Sequence, residues 1–309
     1  MKNIEILAGF LPKELSRVKR IPRKDLKAFL KESQAFDIKP SSKPSSPQIQ
    51  FYSKEEIAGC MIADFLKYYF ASMQTITKIH DTFKNKNVSW AIIETYYSSF
   101  YAAQALMRIS GYYYSHIDAG LKDAINSSSF NVANGVSVDI GTGTYDIYVN
   151  FNNSELEMTL LTKANSHQDV WDKFYKFLDN VIMFSTKEYQ SESNDFNEQL
   201  EAVNFILRGG RGKPYFLSNF RNDVNYLKKT EYWYPFKGIS SDCFRGFKEK
   251  GTYYKKSSES IRVTAVDNPG LNELQLVSCF LISLIRETAT YLQVITKGKI
   301  GTLGNDYFK

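Results

Sequence analysis

Residues 90–110 read Trp-Ala-Ile-Ile-Glu-Thr-Tyr-Tyr-Ser-Ser-Phe-Tyr-Ala-Ala-Gln-Ala-Leu-Met-Arg-Ile-Ser, and Gly111 follows. Trp90, Ile93, Tyr97, Phe100, Tyr101 and Leu106 recur at helical spacing, while Ser98, Ala102, Ala103 and Ala105 lie between them. Small residues at such intervals let a second helix approach closely, and the aromatic rings fill the grooves beside the contact. Ser89 is placed to cap the start and Gly111 to end the helix. Immediately upstream, Ile62, Phe65, Leu66, Tyr69, Met73 and Ile76 repeat the helical period, and Ser53 with Glu56 has the form of a capping box. Two such helices joined by a short polar loop predict an antiparallel hairpin. The fold class expected is therefore mainly α, an antiparallel helical bundle.

Working outward, helical spacing returns at Trp171, Phe174, Phe177, Leu178 and Val181, again over 196–207, and over about 216–228. The segment 271–295 is apolar almost all round, which predicts a long buried C-terminal helix. Between these helices, Val136, Val138, Ile140, Tyr145, Ile147, Val149 and Phe151 alternate at period two, predicting a small β-hairpin or meander inserted at about 136–163. At the other end, residues 1–50 read as a basic arm and linker, because Lys39-Pro-Ser-Ser-Lys-Pro-Ser-Ser-Pro47 resists a helix. One helical domain over 51–309 with a C-terminal helical extension is the organisation expected.

A chain of 309 residues removes roughly 75% of its unfolded surface on folding, so its core needs no staple. Cys60, Cys243 and Cys279 are widely spaced and odd in number, and with three histidines they form neither a disulfide framework nor a zinc site. A reducing cytoplasm is the compartment expected. No membrane span is expected, since Arg286 and Glu287 interrupt the most apolar run. The net charge of +6 favours polyanions without specifying one.

Two motifs resemble the HEPN family. Tyr96-Tyr97-Ser98-Ser99-Phe100-Tyr101-Ala102-Ala103-Gln104-Ala105-Leu106-Met107 with Ile109-Ser110-Gly111 and Ser115-His116 resembles that family's second helix and following turn. Phe220-Arg221-Asn222-Asp223-Val224-Asn225-Tyr226 resembles the helix carrying its arginine. The resemblance implies a bundle of four or five helices that often dimerises, and a metal-independent ribonuclease of toxin–antitoxin or antiviral defence systems or else a noncatalytic binding module. The chain departs from the catalytic pattern: Tyr226 stands where a histidine would follow the arginine, and no histidine occurs downstream of it.

Metal-free RNA cleavage requires a cation for the phosphorane charge and groups that accept and donate protons. Arginine suits the first role and histidine the others. On a continuous helix Arg221 and Asn225 share a face, with Asn222 and Tyr226 on the adjoining one. The catalytic candidates are Arg221, Asn225 and Tyr226, with His116 arriving from the loop after the second helix; Arg108 with His116 is a second pair at unmatched spacing. Arg208, Arg211 and Lys213 in the glycine-rich turn, with Asn222, are candidate RNA contacts. His80 reads as a helix-end residue, His167 as an exposed helix start, and Tyr232 to Phe236 as a core edge able to stack bases. Two functions follow. One is an RNA-directed endoribonuclease, dimeric and paired with a cognate antitoxin; the other is a noncatalytic regulatory module acting through a protein partner. Neither needs a cofactor or metal.

Overall fold

A computed structural model describes residues 3–19, 21, 24–32, 35–39, 43–84, 88–127, 139–162, 166–209, 215–227 and 270–298. In chain order the elements are α1 (Asn3–Phe10), a 3₁₀ turn (Lys13–Arg17), α2 (Leu26–Phe29), β1 (Phe36–Ile38), β2 (Gln48–Phe51), α3 (Lys54–Lys84), α4 (Val88–Ile109), β3 (Tyr112–Ile117), α5 (Ala119–Asn126), β4 (Gly143–Asn150), β5 (Glu155–Leu160), α6 (Ser166–Tyr189), a second 3₁₀ turn (Gln190–Ser193), α7 (Asn194–Leu207), α8 (Phe216–Asn222), a π turn (Asp223–Leu227) and α9 (Leu271–Ile295). Among the described residues the protein is mainly helical with an antiparallel five-stranded sheet. It forms two compact units, a helical unit of Met1–Phe10, Lys67–Ala105 and Ser166–Thr288 and a sheet unit of Leu11–Leu66, Leu106–Asn165 and Ala289–Lys309. Among the described residues no helix is long and apolar enough to cross a membrane.

In the helical unit, α3 and α4 pack antiparallel, as the facing pairs Tyr68 with Tyr101 and Ser72 with Ser98 show by their opposed order. The hydroxyls of Ser72 and Ser98 each donate to the other's carbonyl across the helices, at 2.8 and 3.0 Å. Small residues thus bring the two backbones within reach of a single side chain, as the spacing in α4 predicted. Helices α6 and α7 form a second antiparallel pair, held by Tyr175 to the carbonyl of Leu207 (2.8 Å) and by Asn204 to Asp179 (2.6 Å). Helix α9 joins α4 through Ser278 and Ser99 and buries Leu274, Val277, Phe280, Leu281 and Ile285. Its bounds are those expected from its apolar pattern.

The N-terminal segment departs from its reading as an arm. Helix α1 packs on α6, with the ring of Phe10 5.9 Å from Phe177 and 5.5 Å from Phe184. Within the sheet unit, Leu15, Leu26, Phe29, Leu30, Phe36, Ile38 and Ile49 are buried. The Pro/Ser run does not break the sheet, because a strand edge can use carbonyls that need no N–H: those of Ser45 and Pro47 accept from Leu160 (2.8 Å) and Met158 (3.1 Å).

The sheet order is β1-β2-β5-β4-β3, so the predicted hairpin is its β4–β5 core, extended on one side by β1 and β2 and on the other by β3. Residues 136–138 and 163 of the predicted insertion lie outside the described residues. One face buries Tyr113, Tyr145, Ile147, Val149, Leu156, Met158 and Ile49. Strand β3 was expected as a loop; three consecutive tyrosines place aromatic rings on both faces and hide the alternation.

Candidate functional site

The grouping of titratable side chains that includes Arg221 lies within the helical unit, on three helices. Tyr96 and Tyr97 are adjacent on α4, which turns them about 100° apart around its axis. Tyr96 faces the core and is buried, while Tyr97 is half-buried. Helix α6 brings His167 and Trp171, one turn apart on the stripe that continues through the buried Phe174, Leu178 and Val181. Helix α8 brings Arg221. The short α8 is fixed by burial of Phe216, Leu217 and Ser218 and by Tyr215, which occupies a left-handed backbone conformation (φ 69°) and donates its phenol to Asp172 of α6 at 3.1 Å.

The contacts converge on the two tyrosines. The phenol of Tyr97 lies 2.7 Å from Nη2 of Arg221, and Nη1 of the same guanidinium donates to Asn222 at 2.7 Å. The guanidinium carbon sits 5.9 Å from the ring centre of Tyr96 and 5.6 Å from that of Tyr97, within cation–π range of both. His167 Nδ1 lies 2.8 Å from the Tyr96 oxygen, to which Trp171 Nε1 also donates at 3.3 Å. The imidazole packs 4.8 Å from the ring of Phe100. Burial, reinforced by the Arg221 cation, holds His167 below its ordinary value of 6.5. Burial pushes the Tyr96 phenol up.

The sequence candidates are distributed unevenly over this arrangement. Arg221 and Asn222 are in the cluster. Asn225 and Tyr226 follow on the π turn, so the helical ladder that would set Arg221 and Asn225 on one face at i, i+4 does not continue through them. His116 is not on a loop: it belongs to the sheet unit, exposed on β3 with Nδ1 3.4 Å from Thr144 Oγ1. Arg108, its alternative partner, is buried in the same unit, 3.6 Å from Asp64 and stacked 4.9 Å from the ring of Tyr113. Arg208 is engaged by Asp179 (2.7 Å) and Asn204 (3.1 Å) and lies over Tyr175. Arg211, Lys213 and the segment from Tyr232 to Phe236 lie outside the described residues. No group of three His, Cys, Asp or Glu side chains able to hold a metal ion occurs among the described residues.

His167 is the residue that reading by motif missed. The sequence predicts an exposed helix start beside Asp169, yet Ser166 begins α6 and His167 falls four residues before Trp171, on the apolar stripe. That i, i+4 relation to a buried tryptophan is the signal in the sequence that places its ring inward. Comparisons with protein-family models, with curated proteins and with solved structures return no match to this chain.

Proposed function

We propose that the helical unit is an RNA-directed module of the HEPN kind that cleaves phosphodiesters without metal, with Arg221 and His167 as the groups that touch substrate. The observation that carries this reading is the anchoring of a guanidinium and an imidazole on one tyrosine pair, Tyr97 for Arg221 and Tyr96 for His167. Arginine neutralises the nonbridging oxygens as charge builds on the phosphorane, and it does so best where neighbours already hold its fork in place. The imidazole supplies the proton for the leaving 5′-oxygen, in place of the base or acid role expected of His116. Asn222 orients the guanidinium through its side-chain oxygen. A homodimer and a cognate antitoxin or regulatory protein belong to the same proposal, and light scattering with co-purification from the native host checks them.

The test is RNA cleavage by purified protein in EDTA. Arg221→Ala is expected to lower the rate by about 10²–10³-fold. His167→Ala is expected to lower it by about 10²–10⁴-fold. His116→Ala is expected to leave it unchanged. Absence of cleavage by the wild type, or equal cleavage by all variants, overturns the reading.

A second reading is a noncatalytic module acting through a protein partner. It is favoured by the engagement of Arg221 with Tyr97, Asn222 and two aromatic rings, an arrangement that also suits an arginine bracing three helices. On that reading Arg221→Ala lowers the melting temperature and RNA affinity carries no salt slope.

A further inference from the structure

An imidazole kept below its ordinary pKa is neutral at pH 7, and a neutral imidazole has one nitrogen that donates and one that accepts. Which is which decides what His167 can do. The hydrogen bonds around it favour one direction. The indole N–H of Trp171 can only donate, so the Tyr96 oxygen accepts from it. The phenol keeps its own proton, and of the two acceptors beside it His167 Nδ1 stands at 2.8 Å in hydrogen-bond geometry, whereas the buried Ser218 hydroxyl makes no hydrogen bond. The chain of donation runs Trp171 to Tyr96 to His167.

We infer that Trp171 and Tyr96 act as positioning residues that hold His167 as the neutral tautomer protonated on Nε2, making the ring nitrogen on the far side from Tyr96 a proton donor. Among the described residues Nε2 makes no hydrogen bond, which leaves that N–H for a ligand oxygen. Beside Arg221 it completes a pair of donors suited to a phosphodiester. The groups against the ring are Tyr96, Tyr97 and Phe100 from α4, and the Arg221 cation of α8 acts on it. Among the described residues the charge that acts on it is that of Arg221, which favours the neutral form.

Resting on the cleavage reading above, this arrangement gives the leaving group a proton without an imidazolium. The 2′-oxygen bonds to phosphorus, releasing its proton to water, and the bond from phosphorus to the 5′-oxygen breaks. The 5′-oxygen takes the Nε2 proton while Nδ1 takes the phenol proton of Tyr96. The resulting tyrosinate keeps the Trp171 hydrogen bond and faces the Arg221 cation. Water returns one proton to reset the chain. Although burial weakens Tyr96 as an acid, the alcohol it ultimately protonates is a far weaker one.

The tautomer is measured directly, without substrate, from the ring ¹⁵N resonances of labelled wild-type protein at pH 7; with three histidines in the chain, His167→Gln identifies the signal. A proton-bearing Nε2 and a pyridine-type Nδ1 are expected. A proton on Nδ1, or an imidazolium at pH 7, overturns the inference. The second measurement is the pH–rate profile. Wild type is expected to hold its rate from pH 6 to 8, whereas Tyr96→Phe, left with imidazolium as its acid, loses about tenfold per pH unit above the His167 pKa. Parallel profiles overturn the relay. Nε2 protonation in a protein that does not cleave RNA overturns the nuclease reading and leaves the tautomer standing.

Discussion

Asp64→Ala tests how the sheet unit is held together. Asp64 is 4% exposed and Arg108 6% exposed, so their charges meet largely out of water, 3.6 Å apart. The second carboxylate oxygen accepts the amide N–H of Leu26 at 3.0 Å, at the first residue of α2, and the guanidinium stacks on Tyr113. Removing the carboxylate leaves a buried cation without this counter-charge, for which about 3–5 kcal/mol is the characteristic loss. The lost helix-end hydrogen bond adds to it, by about 1 kcal/mol. Urea unfolding followed by circular dichroism reads the change as a shift in midpoint at constant slope. Arg108→Met with Asp64→Leu removes both charges, and because a well-packed apolar pair often replaces a buried ion pair at little cost, the double variant should recover most of the loss. A loss under about 1 kcal/mol in Asp64→Ala, the range of exposed pairs, would refute the reasoning, as would a double variant no better than the single.

Two further outcomes follow from the described geometry. Burial holds the Lys173 amine down to about 7, so the native state resists its charge. Because the folded pKa lies below the unfolded one, the unfolded chain binds more protons between pH 7 and 10.5, and stability contributed by this group rises with pH across that window. Lys173→Met should therefore raise the melting temperature at pH 6 more than at pH 10, and the reverse order contradicts the assignment. At Gly111, φ is +87° and a Cβ would stand 3.3 Å from Val149 Cβ. Gly111→Ala should destabilise the sheet unit by about 1–2 kcal/mol, and an unchanged urea midpoint would argue against that backbone conformation.

The long helices were legible because their signals are local. Ser53 caps the amide of Glu56 at 3.1 Å as its spacing implied, and Gly111 ends α4 in a conformation that glycine adopts without strain. The sheet was legible only where alternation is clean. Strands β4 and β5 showed in the pattern, whereas β1 and β2 are short and sit beside prolines that suggest a linker, and β3 is disguised by its tyrosines. For the site, the aromatic run in α4 and Arg221 were visible as motifs. The imidazole beside them was not, because His167 and Arg221 are 54 positions apart and meet through helix packing that no local window contains. The family resemblance pointed instead to His116, whose strand belongs to the other unit.

The direct measurement of whether Arg221 and His167 form one site is a double-mutant cycle on RNA cleavage in EDTA, using Arg221→Ala, His167→Ala and the double variant, with His116→Ala as control. Groups acting in one chemical step are expected to be strongly non-additive, so the double variant should fall little below the worse single and the control should match wild type. Additive losses, or a loss in His116→Ala equal to that of His167→Ala, would contradict a site built on the tyrosine pair.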